Sequence, residues 1–410
     1  MRLLLIYLLM ILPLLTRAQD NWCDVDRRFN INEENPVYQH FLERMHERET
    51  VGQFENRTDK YFPVVIHVVA TDAYQPVSMA QALNQLDVLN EDFAGKGKNI
   101  DKLLSSFTSL VADAGMHFCL ATTDPDGQPT SGITFTHTDV KNIATQTGPG
   151  GRIAIHYDDL GGKSIWDPSR YINIWVGEYG DILGSASFPG MAQYPEETGV
   201  IINIEHFGSI GDAGHSGYFG RGHTLTHEMG HFFGLRHIWG DGVAYTCDDS
   251  DDIDDTPNAA GPYYGCPAGE QLSCDVSNMY QNFMDLTDDR CLAAFTHDQA
   301  IRMQAVVDEY YPGLAVEGSC AADAASFNLW FNDLQWAHDA SSYKYVIYDV
   351  VGWPGRKDVE VFSTDGKQVL SDVWDDQLSY LLDLNGVSAG VYVVRISDGG
   401  KSNARKIVVY

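Results

Sequence analysis

His227-Glu228-Met229-Gly230-His231-Phe232-Phe233-Gly234-Leu235-Arg236-His237 spells H-E-x-x-H-x-x-G-x-x-H. On a helix, His227 and His231 stand one turn apart on one face, so both imidazoles can close on a single zinc ion. Glu228 is turned by about 100° from His227 and faces the water at the open coordination position. Gly234 is the expected exit from this helix, because glycine takes up φ > 0 with no Cβ penalty. That turn lets His237 supply a third ligand from outside the helix. Three neutral imidazoles with a free fourth position describe a catalytic zinc site, and Glu228 is placed to act as its base and then its acid. His223 lies four residues before His227, but no acid follows it, so it reads as a histidine beside the site or on the surface.

Residues 1–18 open with Met1-Arg2, continue as a leucine-rich run and end in Thr16-Arg17-Ala18, the pattern of a cleaved signal segment. The run is shorter than the roughly 20 residues a spanning helix needs, so no membrane span is expected in the mature chain. Export permits disulfides among the seven cysteines, Cys23, Cys119, Cys247, Cys266, Cys274, Cys291 and Cys320. A structural zinc held by four of them is the rival reading, but the C-x₂₋₄-C spacing it usually needs is absent. With 27 basic and 57 acidic residues the formal charge is −30, which argues against nucleic acid or an anionic membrane as partner. The densest acidic stretch, Asp248-Asp249-Ser250-Asp251-Asp252-Ile253-Asp254-Asp255, requires either solvation or a hard cation with oxygen ligands.

Residues 19–60 are rich in charge and poor in apolar periodicity, and read as a pro-segment. Residues 61–320 form the expected catalytic domain. Its first strand starts at Tyr61, and Ser78 caps a helix with apolar residues Ala82, Leu83, Leu86, Leu89 and Phe93 at helical spacing. Strands are expected at Gly115–Ala121, Tyr171–Val176 and Gly199–Glu205, with a closing helix from about Thr296 to Tyr310. Residues 321–410 change to short alternating strands and turn signals such as Asp365-Gly366, as in an antiparallel β-sandwich.

The extended zinc motif resembles that of the metzincin clan, whose other mark is a methionine in a tight turn under the metal; Asn282-Phe283-Met284-Asp285 fits it. His237-Ile238-Trp239-Gly240-Asp241 and Asp255-Thr256-Pro257 resemble the pappalysin family in particular, and its bacterial, ulilysin-like branch. The upstream stretches Phe62–Val69, Asp124–Gly127 and Tyr171–Val176 extend the resemblance over roughly residues 60–320. It implies an α+β fold: a twisted mixed sheet with the active-site helix, followed by an irregular, disulfide-stapled lower subdomain. It also implies the bridges Cys247–Cys274 and Cys266–Cys291, and calcium at Asp251, Asp255 and Thr256. A solvated acidic loop stays open as the alternative.

By the same resemblance Asp289 stands at the bottom of the S1′ pocket and would select Arg, or Lys less well, after the cleaved bond. A surface aspartate is its alternative. Substrate would lie extended along an edge strand near Leu183–Phe188. Where bacterial members usually carry a tyrosine that stabilises the tetrahedral intermediate, this chain has Leu286. Loss of such a donor costs on the order of 2–4 kcal/mol unless a neighbouring tyrosine substitutes. Cys23, as thiolate on the fourth zinc position, would keep a zymogen latent; a bridge to Cys119 or Cys320 is the alternative. Maturation would cut near Arg48 or Arg57. The ending Ser388–Ile396 with Lys406–Val409 resembles the sorting domain of type IX secretion cargo, with a carbohydrate-binding or adhesion sandwich as its rival. The expected function is that of a secreted zinc endopeptidase acting on proteins or peptides. An exported adhesin with an idle zinc site and a zinc amidase are the alternatives.

Overall fold

The computed structural model describes residues 22–29, 31, 34–50, 59–74, 77–128, 130–210, 217–240, 246–315, 334–338, 344–349, 356–364, 366–374, 379–398 and 402–409. The expected signal segment, Arg57, Cys320 and the expected boundary at 320/321 lie outside them.

Two helices come first, α1 (Val25–Phe29) and α2 (Pro36–Thr50). The main sheet is built from β1 (Lys60–Ala70), β2 (Met116–Leu120), β3 (Ile133–His137), β4 (Ile172–Gly177), β5 (Gly184–Ala186) and β6 (Val200–Asn203). β1 is its centre. Its Val64-Val65-Ile66 and Val68-Val69 are all buried, as a strand covered on both faces requires. One side of β1 pairs in parallel with β2 over Lys60–Val64 and with β3 over Ile66–Ala70; the other pairs with β4. β6 follows β4 in parallel, and β5 closes the edge antiparallel to β6. The sheet is therefore mixed, with its single antiparallel strand at the edge.

Helix α3 (Met79–Phe93) starts at Ser78, whose hydroxyl accepts from Gln81 N at 3.1 Å. Ala82, Leu86, Leu89 and Phe93 enter the core, whereas Leu83 is 37 % exposed, off the buried stripe. Helix α4 (His223–Phe232) packs on α3, β5 and β6. Every residue of α4 is buried, which is why it can hold polar groups in fixed positions. Below it the chain is irregular apart from the two-residue strands β7 (Leu272–Ser273) and β8 (Val276–Ser277), and disulfides Cys247–Cys274 and Cys266–Cys291 staple it. Helix α5 (His297–Tyr310) begins with a capping box in which Thr296 and Gln299 exchange side-chain and backbone bonds.

The N-terminal helices differ from expectation. Tyr38, Phe41 and Met45 recur at i, i+3 and i+7 along α2, and all three are buried in the main core. The stripe is narrow and set among charges, so composition hides it. Arg44 and Arg48 then clamp Glu309 of α5 through their Nε atoms at 2.8 and 3.0 Å.

The C-terminal strands are β9 (Leu334–His338), β10 (Lys344–Asp349), β11 (Lys357–Ser363), β12 (Gln368–Trp374), β13 (Ser379–Asp383), β14 (Gly390–Ser397) and β15 (Ser402–Val409). They form two antiparallel sheets, β13-β10-β9 and β12-β11-β14-β15. Leu382 from the first meets Val359, Trp374, Val394 and Ile407 from the second in one core, as a small sandwich requires. No described helix is long and apolar enough to cross a membrane.

Arg236, inside the zinc motif, is buried and anchors the acidic loop. It donates to Ser250 O at 2.7 Å, to Asp252 Oδ2 at 3.2 Å and to both Asp249 oxygens at 3.2 and 3.0 Å, with its guanidinium over the Tyr38 ring. Arg236→Met should cost about 2–3 kcal/mol, because charge-assisted bonds are lost while the freed aspartates stay partly hydrated. Urea unfolding should show a lower midpoint, and an unchanged midpoint would remove Arg236 as the loop's anchor.

Candidate active site

α4 puts His227 and His231 on its inner face, and Gly234 at φ +83° turns the chain out of the helix and back. Leu235 N returns to Gly230 O at 2.9 Å, which seals the helix end and leaves His237 facing the other two histidines. Nε2 of His231 lies 3.1 Å from that of His227 and 3.3 Å from that of His237. Three ring nitrogens this close, all buried, are poised around one point. The rings are also oriented from behind: His227 Nδ1 donates to Phe283 O at 2.7 Å, and His231 Nδ1 to Leu235 O at 2.8 Å. With Nδ1 carrying the proton, the Nε2 lone pairs are free to bind metal. Burial, with the neighbouring His237 and His227, holds the His231 pKa well below its usual value and keeps the ring neutral. This donor set fits zinc.

Glu228 is 1 % exposed and backs onto the edge strand. A Cβ at Gly184 of β5 would stand 2.7 Å from Glu228 Cγ, so only glycine lets the strand pass this close. Along that strand runs the N-terminal segment. Cys23 bridges Gly184 in parallel, and Leu183 N donates to Trp22 O at 2.9 Å. Trp22 packs edge-on against Phe219 and Tyr264, at 4.5 and 5.1 Å between ring centres. Cys23, the one described cysteine outside a disulfide, has its Sγ and the ligand nitrogens of His227, His231 and His237 all within 4.8 Å of one another. Its thiol lies 3.9 Å from Glu228 Oε2. Cys119 is disulfide-bonded.

Met284 is fully buried, with its sulfur against Gly230 of α4. Its turn is tied by Asn282, whose Oδ1 accepts from Met284 N at 2.9 Å while its Nδ2 donates to Gln299 Oε1 at 2.8 Å. Leu286 lines the cleft and brings no hydroxyl to it. Asp289 lines the same cleft and is 1 % exposed; its Oδ2 accepts from Arg221 N at 2.7 Å. Burial raises its pKa, against the opposing pull of His223 and two backbone N–H groups.

His223 is also part of this wall. Its Nδ1 meets Asp92 Oδ2 at 2.7 Å, and Thr226 Oγ1 donates to the same oxygen at 2.6 Å. Burial opposes a charge on His223, but the Asp92 carboxylate, helped by Asp289, outweighs it and raises the pKa. Asp92 carries no local motif; only its place on α3, beside α4, pairs it with His223. In the acidic loop Asp251 is 2 % exposed, and burial lifts its pKa well above the carboxylate range. Asp251 Oδ2, Asp255 Oδ1 and Thr256 Oγ1 are buried and make no hydrogen bond.

Residues 156–308 match the family described as pregnancy-associated plasma protein-A, peptidase M43, and residues 340–410 match a secretion system C-terminal sorting domain. An extracellular metalloprotease of Arthroderma benhamiae is 38 % identical over 97 residues, covering 23 % of this chain and 33 % of that protein. One of Arthroderma gypseum is 29 % identical over 208 residues, 48 % of this chain and 67 % of that protein. The chain thus spans only about a third of the first of these relatives. Among solved structures, a mutant promirolysin from Tannerella forsythia is 34 % identical with a TM-score of 0.63, covering 70 % of this chain and 94 % of that one. Mature mirolysin from Tannerella forsythia, in complex with a cleaved peptide, is 36 % identical with a TM-score of 0.57, covering 64 % and 100 %. By its zinc-ready histidines, its methionine turn and its likeness to nearly the whole of promirolysin, this chain belongs to the pappalysin family of metzincin metallopeptidases.

Proposed function

We propose that this chain is an exported zinc endopeptidase made as a latent precursor, with residues 1–18 as signal segment, 19–60 as pro-segment, 61–320 as catalytic domain and 321–410 as sorting domain. The observation that carries the activity is the convergence of three buried imidazole nitrogens beside Glu228. His227, His231 and His237 would hold the zinc, which supplies a polarised scissile carbonyl and a more acidic attacking water. Glu228 takes the proton from that water and passes it to the leaving amine, one carboxylate serving as base and then acid. Met284 gives the histidines an apolar floor. Substrate pairs with β5 by backbone hydrogen bonds, and Asp289 receives a P1′ arginine, or lysine less well. The complex of mature mirolysin with a cleaved peptide supports this class of substrate. Export is supported by the sorting-domain match at residues 340–410, with the type IX machinery as partner. Glu228→Gln should keep about one zinc per chain and lose turnover by about 10²–10⁴-fold on peptides; wild-type turnover in that variant would end the assignment.

Latency is supported by the placement of Trp22 and Cys23. The segment runs along β5 where substrate would, and it offers the histidines a thiol in place of a peptide carbonyl. A thiolate at the fourth zinc position would exclude the attacking water and face Glu228. The likeness to a protein named promirolysin supports a precursor form. A full-length Cys23→Ala precursor should hydrolyse peptide before any cut near Arg48 or Arg57, and a precursor equally silent with and without the thiol would count against the switch.

Calcium is supported by the three oxygens of Asp251, Asp255 and Thr256 that no protein group satisfies. A carboxylate buried as deeply as Asp251, whose pKa that burial raises, is costly unless a cation takes it. Adding calcium at about a hundred times its dissociation constant should stabilise the protein by about 2.7 kcal/mol, a rise in Tm of roughly 5–10 °C. The rise should vanish in Asp251→Asn, and equal melting with calcium and with chelator would leave a solvated loop.

A further inference from the structure

We propose that His223 is a specificity-determining residue of the S1′ pocket, its Nε2 acting as a second acceptor beside Asp289 for a P1′ guanidinium. The inference rests on the Asp289 reading above and extends it. His223 is 2 % exposed and borders the cleft together with Asp289 and Leu286. Its ring cannot turn freely, because Nδ1 is held by Asp92 at 2.7 Å and Asp92 is itself fixed by the Thr226 hydroxyl. The opposite edge of the ring carries Nε2, a buried nitrogen with no hydrogen-bond partner. A buried polar atom in such a position is costly unless something that enters the pocket satisfies it.

The chemistry of the entering group follows from what surrounds it. Asp92 from α3, Asp289 from the loop before Cys291, and Arg221 from the loop before α4 are the charged groups acting on the ring. Asp289 already spends acceptor capacity on the backbone N–H groups of Arg221 and His223. An ammonium is a compact donor that the rest of this carboxylate can serve alone. A guanidinium presents five N–H donors in a planar fork and needs acceptors at more than one point. Asp92 and Asp289 raise the pKa of this ring, so the lone pair at Nε2 is offered above that pKa, where the ring is neutral and Nδ1 still donates to Asp92; a cation in the pocket further opposes a proton on Nε2. The site therefore suits arginine over lysine, by a group that is not the pocket's carboxylate.

The test is run at alkaline pH, where the His223 ring is neutral, on the zinc-loaded enzyme freed of its N-terminal segment, with three peptides that differ only at P1′, as Arg, Lys or Leu. Three proteins are compared: the parent, His223→Leu, and Asp92→Asn/His223→Leu, which does not leave Asp92 buried as an unpaired charge. The parental Arg/Lys ratio of kcat/KM should be roughly tenfold or more and should fall to about one or two in both variants. Because the ratio is taken within each protein, general damage to folding or zinc content cancels. An unchanged ratio in the variants overturns the proposal. A parent that prefers Arg and Lys equally over Leu overturns it too, while leaving Asp289 as the acceptor of a basic P1′ residue, and a parent indifferent to basic P1′ residues sinks both. Should neither variant retain zinc, the parental ratio decides, with a value below about twofold overturning the role of His223.

Discussion

Three histidine rings can share one metal only if each is held at the correct tautomer and angle before the metal arrives, and the structure around α4 serves that constraint. For the two histidines on α4 this is done by backbone carbonyls, Phe283 O for His227 and Leu235 O for His231. Backbone is the stiffer choice, since it has no rotamer to lose. The cost is that two separate stretches of chain must be placed to within a hydrogen bond. Gly234 places Leu235 by its left-handed turn, and Asn282 places Phe283 by binding Met284 N and Gln299 together. The capping box of α5 thus reaches the histidine cluster through one asparagine.

The sheet supplies the other half of the site. The parallel strands β1, β4 and β6 are buried and paired on both sides, whereas β5 is three residues long and lies at the edge against α4. A short edge strand limits promiscuous pairing while keeping a few N–H and C=O groups for one chosen peptide. Here that peptide is the protein's own segment at Trp22–Asp24. α2 anchors the same segment on the far side, through buried Tyr38, Phe41 and Met45 and the arginine clamp on Glu309. In a chain of net charge −30, arginines placed on buried or half-buried carboxylates fix which acidic residues meet.

Much of this was legible in the residues. The H-E-x-x-H-x-x-G-x-x-H spacing encodes its own geometry, because helical periodicity and a glycine's access to φ > 0 are local. The ends of α3 and α5 were readable at Ser78 and Thr296 for the same reason: capping needs only three residues of context. The family's disulfide pairs and the edge strand near Leu183–Phe188 came from resemblance, and the structure forms both. Leu83 was misjudged, since an apolar residue at the rim of a helical stripe can face either way until a neighbour covers it. The stripe of α2 was missed because three apolar positions among charges carry little signal without their partner α5.

What the sequence alone determined is therefore the local chemistry: which side chains stand on one face of α4, where α3 and α5 start and α4 ends, and which residue types suit zinc. Only the tertiary structure decided what meets across distance. It paired Asp92 with His223, laid Cys23 over the histidines, and left Asp251 and His223 with buried atoms that nothing satisfies. The physical reason is range. Backbone propensity and capping act over three or four residues, whereas desolvation and charge pairing depend on groups brought together from 131 to 205 positions apart.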